Sequence, residues 1–322
     1  MPRNALVTGA TGGLGFETAR QLALQRNELG YTHVILSGRS QAKADAAAQR
    51  VAEEGPSPDF FSGVAIDLGS AESVAAAVED LSSRNIQLHS LILNAGLVPD
   101  KRFHTSDGIE FSMAASVIGH HRLIAGLLHA NVLAPDCRIV LAGSEAARGV
   151  FQMSPIDIAK LANGGSVEDI ERLIRSPESD KFNGLTQYAN TKLVQALYVQ
   201  QVAKLLPKGM RIVCVSPGAT GGTHAGRAAS GILKLMVFLM NKAPALFGAH
   251  TVREGSQRYI DGLELPASES GKFYASRFGL LRRLNAIGPI VDNGSYYQLQ
   301  NKDLPPRVLA AVEKVANVAL VQ

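Results

Sequence analysis

The sequence predicts a doubly wound α/β domain, a parallel sheet with helices on both faces. Three observations predict it. Short apolar runs alternate with helix-forming stretches through the first two hundred residues. The runs are continuous in Val, Ile and Leu, the pattern of strands covered on both faces. Each connection is long enough to carry a crossover helix, as parallel neighbours require.

The elements follow in order. "NALVT" (4–8) is the first apolar run, followed by a Gly-rich turn and an Ala/Leu-rich helix to about Gln25. "THVILSG" (32–38) is β-branched, and "QAKADAAAQRVAEE" (41–54) is strongly helix-forming. "SGVAIDL" (62–68) precedes the helical "SAESVAAAVEDLSS", and "HSLILNAG" (89–96) precedes a long helical pattern from about Gly108 to Asn131. "CRIVLAGS" (137–144) and "MRIVCVSPG" (210–218) supply two further strands, with a helix from about Thr186 to Leu206 between them. Two segments break the rhythm: 145–185, with a short helix expected at 167–174, and 219–265. Loops this long inside a compact domain are usually lids or binding loops, so both are expected to border a substrate within a single domain spanning 1–322. The tail at 304–321 reads as a helix with one apolar face, able to cover either a neighbouring copy or its own sheet.

Composition narrows the function classes. The formal charge is 32 − 28 = +4, without a dense Lys/Arg run, so a nucleic-acid partner is not implied. Cys137 and Cys214 lie far apart inside apolar runs and read as buried free thiols, not as a disulfide or metal site. "MPRNALVTGA" enters a strand directly, without a signal-peptide core. The most lipid-like stretch, 231–248, is interrupted by Lys234, Lys242 and Pro244 and is too short to span a bilayer. A cytoplasmic protein without a transmembrane segment is expected. The same stretch has three readings: a core helix, a wall of a lipophilic substrate pocket, or a membrane-contacting patch.

In doubly wound sheets the ligand sits beyond the carboxyl ends of the strands. After the first run lies "TGATGGLG" (8–15), with Gly9, Gly13 and Gly15 spaced Gly-x-x-x-Gly-x-Gly and Thr11, Gly12 and Leu14 between them. Glycines there let the backbone approach a pyrophosphate, which the free N–H groups of the helix N-terminus then hold. The second run ends in Gly38, Arg39 and Ser40. No acid is present for a ribose 2′-hydroxyl, and Arg39 offers a forked donor to a 2′-phosphate, so NADP(H) is expected over NAD(H). Further on, "TQYANTK" (186–192) sets Tyr188 and Lys192 four apart, on one helical face.

These motifs, in this order, resemble those of the short-chain dehydrogenase/reductase family, nearest its retinol dehydrogenase and protochlorophyllide reductase branch. The resemblance is carried by "TGATGGLG", by Asp67–Leu68, by "NAG" (Asn94, Ala95, Gly96), by Ser144, by "YANTK" and by "SPG" ending in Pro217 and Gly218. It covers about residues 4–220 well, with a weaker echo at 251–276. It implies a Rossmann fold and an oxidoreductase acting on an alcohol or carbonyl. It further implies that Asp67 contacts the adenine and that Ser144 hydrogen-bonds the substrate carbonyl. Tyr188 would give its proton to the developing alkoxide. Lys192 would hydrogen-bond the nicotinamide ribose and favour the phenolate, since an ordinary Tyr titrates near 10. Thr220 and Thr223 are either contacts to the nicotinamide amide or phosphates, or turn-forming threonines.

The sequence departs from the family's pattern in two places. The family commonly carries an Asn on the helix after the fourth strand, holding a water that leads to the lysine; the "DG-x-E" register puts Ser116 in that place. A hydroxyl can still hold a water, with one donor instead of an amide's two. His120 and His121, nearby, read as packing or capping residues. Photochemical reductases of the branch usually have a Cys after the "PG" turn; here it is Ala219. The resulting expectation is NADP(H)-dependent reduction of a hydrophobic ketone or aldehyde. Its rivals are a non-catalytic NADP(H) sensor or scaffold, and an NADP⁺-dependent dehydrogenase of a lipophilic alcohol. The oligomeric state is open.

Overall fold

In the computed structural model the structure describes residues 3–54, 57–150, 153–220, 250–277 and 290–321. Thr223, Phe151 and the apolar stretch 231–248 lie outside the described residues. Among the described residues, eight strands form one sheet in the order β3-β2-β1-β4-β5-β6-β7-β8. They are β1 (Arg3–Val7), β2 (Tyr31–Gly38), β3 (Phe61–Ala65), β4 (Leu88–Leu93), β5 (Leu133–Ala142), β6 (Arg211–Val215), β7 (Phe273–Ser276) and β8 (Ile290–Asp292). Pairing is parallel as far as β7, but β8 runs antiparallel to β7. The doubly wound parallel sheet expected from the sequence is present, and it ends in an antiparallel edge strand, a common ending.

Successive residues of a strand point to opposite faces, and here both faces are cores. Leu6, Ile139, Leu141, Ile212 and Cys214 enter one apolar cluster. Ala5, Val7, Val140, Val213 and Val215 enter the other. That double burial is why the strands read as unbroken apolar runs. Helices α1 (Gly13–Leu24), α2 (Gln41–Ala52) and α7 (Val252–Glu264) serve the second cluster, while α3 (Ala71–Ser83), α4 (Gly119–His129), α5 (Val167–Arg175), α6 (Gly184–Leu205) and α8 (Leu304–Ala316) serve the first. Helix α7 packs along α1, joined by Gln21 Nε2 donating to Ser256 Oγ at 2.6 Å. The last part of the 219–265 segment is thus a layer helix rather than a lid.

The helix expected from about Gly108 to Asn131 runs without a gap from Phe111 to His129 but widens in its middle. Phe111–Met113 is one short helical turn, Ala114–Ile118 is a π-turn, and α4 follows. The C-terminal helix covers its own chain: α8 lies on α5 and α6. Leu304, Val308, Leu309, Val312 and Leu320 are buried there. His121 pins the tail, donating from Nε2 to Val318 O at 2.9 Å and accepting at Nδ1 from the Tyr198 hydroxyl at 2.9 Å. Arg122 Nε donates to Ala316 O at 3.2 Å. Packing is the role expected of His121, and this is the packing.

Cys137 and Cys214 are buried free thiols. Among the described residues no helix is long and apolar enough to cross a membrane, and no cluster of His, Cys, Asp or Glu could hold a metal ion.

Candidate active site

Strand order reverses between β1 and β4, so a crevice opens beyond their carboxyl ends. Its floor is the Gly-rich turn, locked to the end of β4. Gly9 has φ +64°, and a Cβ there would lie 2.9 Å from Ala95 Cα. A Cβ on Gly15 would lie 2.5 Å from Asn94 Nδ2 and 2.6 Å from Gly9 O. Asn94 Nδ2 donates to Thr8 O at 3.0 Å and Gly9 O at 3.3 Å, and Ala95 N donates to Thr8 Oγ1 at 3.1 Å. Gly13, at φ +57°, faces open space where a side chain would project. Gly12 precedes α1 in extended conformation, leaving that helix's first N–H groups directed at the opening. The cradle fits a pyrophosphate.

The other cofactor candidates lie along the same rim. Arg39 and Ser40 are exposed just past β2. Gly38 brings them close to the turn, because a Cβ there would stand 3.0 Å from Thr11 Cγ2. Arg50, which sequence reasoning missed, donates to Thr11 O at 3.0 Å with its guanidinium 4.1 Å from the Phe16 ring centroid. Asp67 and Leu68 lie beyond β3 rather than within it; the Asp67 carboxylate accepts from Gly69 N at 3.0 Å. Leu14 O accepts from Thr18 Oγ1 at 2.7 Å inside α1. Past β6, Pro217 and Gly218 (φ +75°) form a turn in which Gly218 N donates to Ser216 Oγ at 3.1 Å. The Thr220 hydroxyl lies 3.2 Å from Pro217 O and 3.3 Å from Gly218 O, a turn-forming arrangement.

The end of β5 gathers the remaining candidates. Ser144 stands two residues past Ala142, and its Oγ accepts from Ala146 N at 3.2 Å. Lys192 Nζ donates to Ala142 O at 2.7 Å and lies 5.6 Å from the Tyr188 ring centroid. Burial pushes the Lys192 ammonium down to about 8. Burial also holds the Tyr188 phenol above the ordinary tyrosine value, opposed by a hydrogen bond with the Ser144 side chain. The opposing effect comes from Ser144, and the lowering expected from Lys192 is not among the causes. The phenol stays protonated at neutral pH, the form a proton donor needs.

Ser116 lies in the π-turn. Its carbonyl accepts from Gln195 Nε2 at 2.7 Å and from His120 Nδ1 at 2.9 Å. A carbonyl only accepts, so His120 carries its proton on Nδ1 and takes the Thr8 hydroxyl at Nε2, 3.0 Å away. Burial drops His120 to about 3, keeping it neutral, so it works as a strut between the cofactor turn and the π-turn. Ser116 Oγ is buried without a hydrogen-bond partner among the described residues. It lies 3.0 Å from where a Gly96 Cβ would stand, a point itself 3.8 Å from Lys192 Nζ. The fold thus brings Ser116, Gly96 and Lys192 together.

One group escaped the sequence entirely. Glu145, next to Ser144, is buried and accepts from Ser216 Oγ at 3.2 Å and Ser276 N at 2.9 Å while pairing with Arg148. Arg258 donates to Ser276 Oγ at 3.1 Å and to His250 Nε2 at 2.8 Å. These contacts tie the ends of β5, β6 and β7 beneath the Ser144 loop. No local pattern announces a carboxylate whose donors lie 71 and 131 residues away.

Comparison with known proteins decides the family: the sequence profile described as short chain dehydrogenase matches residues 3–167, just over half of the chain. The chain belongs to the short-chain dehydrogenase family. It is 31% identical to a WW domain-containing oxidoreductase of Drosophila melanogaster, over 67% of this chain and 48% of that one. It is likewise 31% identical to a polyprenol dehydrogenase of Mus musculus, over 63% of this chain and 55% of that one. The chain spans about half the length of the curated relatives it matches. A solved carbonyl reductase from chicken fatty liver, with NADPH bound, shares the fold with a TM-score of 0.58 at 18% identity, over 84% of this chain and 95% of that one.

Proposed function

We propose that this short-chain dehydrogenase reduces a hydrophobic ketone or aldehyde with NADPH, Tyr188 being the proton donor. The observation that supports it most is the convergence of Tyr188, Ser144 and Lys192 at the end of β5, beside the Asn94–Gly96 end of β4.

The residues fit the dinucleotide. The α1 N-terminus and the open side of Gly13 would hold its pyrophosphate, Arg39 its 2′-phosphate, and Lys192 its nicotinamide ribose. NADPH supplies the hydride. The chain supplies orientation and the proton. Ser144 Oγ–H donates to the carbonyl oxygen, and the Tyr188 phenol transfers its proton as that oxygen gains charge. The Lys192 ammonium, one helical turn away, stabilises the phenolate left behind. In the reverse direction the phenolate would accept the alcohol proton.

The hydrophobic substrate is supported by composition: the segment that follows Thr220 in the chain is apolar at 231–248. The polyprenol dehydrogenase relative, named for a lipophilic alcohol, points the same way. The test is Tyr188→Phe, assayed with NADPH against a panel of ketones and aldehydes. Turnover is expected to fall by at least ~100-fold while NADPH still binds. Near-wild-type turnover refutes the reading. Binding without turnover in the wild type selects the sensor or scaffold instead.

A further inference from the structure

Glu110 is completely buried, yet it is not opposite any Lys or Arg among its hydrogen-bond partners. It stands at the head of the Phe111–Met113 turn that leads into the π-turn. Its carboxylate accepts from Ser112 N at 3.1 Å, Met113 N at 3.2 Å and the Ser112 hydroxyl. Those three are a helix cap, which a Ser or Asn would supply without desolvating a charge. The fourth donor is different. Gln187 Nε2 reaches across from the first turn of α6, 3.1 Å away, and Gln187 is the residue before Tyr188. Beside it, Thr191 Oγ1 donates to Gln187 O at 2.8 Å within α6 and packs 3.4 Å from Ser112 Oγ. Thr191 is the residue before Lys192. All four side chains are buried.

Taking a carboxylate out of water costs several kcal/mol unless donors saturate it. Here they do, and two helices share them. We infer that Glu110 is a positioning residue for proton transfer: through Gln187 it fixes the first turn of α6, and so sets the Tyr188 phenol against Ser144 and Lys192. The inference rests on reading Tyr188 as the proton donor. Its partner elements are the turn that carries Ser116 and the helix that carries Tyr188 and Lys192. Glu110 therefore sets the distance between the two sides of the site while touching neither substrate nor cofactor.

The test separates the cross-link from the cap. Gln187→Met removes only the donor from α6, whereas Glu110→Gln disturbs both. Each is measured for kcat on the best ketone or aldehyde of the panel, for NADPH dissociation constant by fluorescence titration, and for Tm. Gln187→Met is expected to lower kcat about tenfold, since small misplacements of reacting groups are felt strongly, with the NADPH constant changed less than about twofold. Glu110→Gln is expected to lower kcat at least as far, and the double variant no further, because both act through one contact. Wild-type kcat in Gln187→Met overturns the inference. So does a fall in kcat matched by equal losses in NADPH affinity or Tm, which marks a purely structural role. If Glu110→Gln does not fold, Gln187→Met decides alone. Tyr188→Phe run in parallel separates the two levels. If it keeps turnover, the reading of the site fails; if it is inactive while Gln187→Met is normal, only the role of Glu110 fails.

Discussion

Lys192→Met is expected to make the ligand-free protein more stable and to remove its turnover. The ammonium is buried, and its pKa falls from 10.5 to about 8. At about 1.36 kcal/mol per pKa unit, keeping that group charged at neutral pH costs the fold about 3 kcal/mol. Against this stands one hydrogen bond, Nζ to Ala142 O at 2.7 Å. Losing a charged donor and leaving that carbonyl unpaired takes back roughly 1–2 kcal/mol. Met nearly conserves volume, so packing changes little. The net is a gain of about 1–2 kcal/mol, or a Tm rise of roughly 2–4 °C at this chain size. The pH dependence sharpens the test. Between about pH 8 and 10.5 the unfolded chain still binds the lysine proton while the folded one has released it. Wild-type stability therefore rises with pH across that window, and the advantage of the variant shrinks. Urea unfolding of both proteins at pH 7 and pH 10, with kcat beside it, measures this. A variant less stable at pH 7, or a gap that does not narrow by pH 10, refutes the reasoning.

Three other outcomes follow from the same geometry. His120 sits near 3 when folded, below its ordinary 6.5, so the unfolded chain takes up the proton first as pH falls. Stability is thus expected to drop from pH 6.5 downward, by about 2–3 kcal/mol at pH 4.5, and His120→Gln should flatten that slope in Tm-versus-pH scans. Arg39→Asp is expected to shift the kcat/KM preference from NADPH toward NADH by replacing a 2′-phosphate donor with a 2′-hydroxyl acceptor; an unchanged ratio removes Arg39 from cofactor choice. Because α8 covers the outer side of α5 and α6 with its own side chains, a monomer is expected by light scattering, and Leu304→Ala should lower stability by about 2–4 kcal/mol in urea unfolding.

Physics explains which parts of this were legible. Strands β1, β2, β4 and β6 announce themselves because both faces of their inner parts are buried, which favours consecutive apolar residues there. The start of β5 was hidden by Pro135 and Asp136, yet Leu133 still pairs with Leu88. Strands β7 and β8, four and three residues long, are too short for any periodicity to show. The π-turn at Ala114–Ile118 has no local signature. Its Ser116 carbonyl accepts from His120, four residues on, and also from Gln195, 79 positions later. Ser144, Tyr188 and Lys192 stand out in the sequence because a strand end and one helical face are local patterns, and the fold brings the three together. Glu110, Glu145 and Arg50 do not stand out, because what singles them out is burial or contacts made only by the folded chain.

The covering of α6 by α8 also has a consequence in time. Tyr188 and Lys192 leave the ribosome more than a hundred residues before Leu304, which begins the helix that shields theirs. At roughly 5–20 residues per second, the nascent chain spends several seconds with the outer side of α6 bare. The sheet order adds to the delay, since β7 and β8 also join from beyond residue 270. The surroundings of α6 are therefore completed only when segments more than a hundred residues further along the chain have been made.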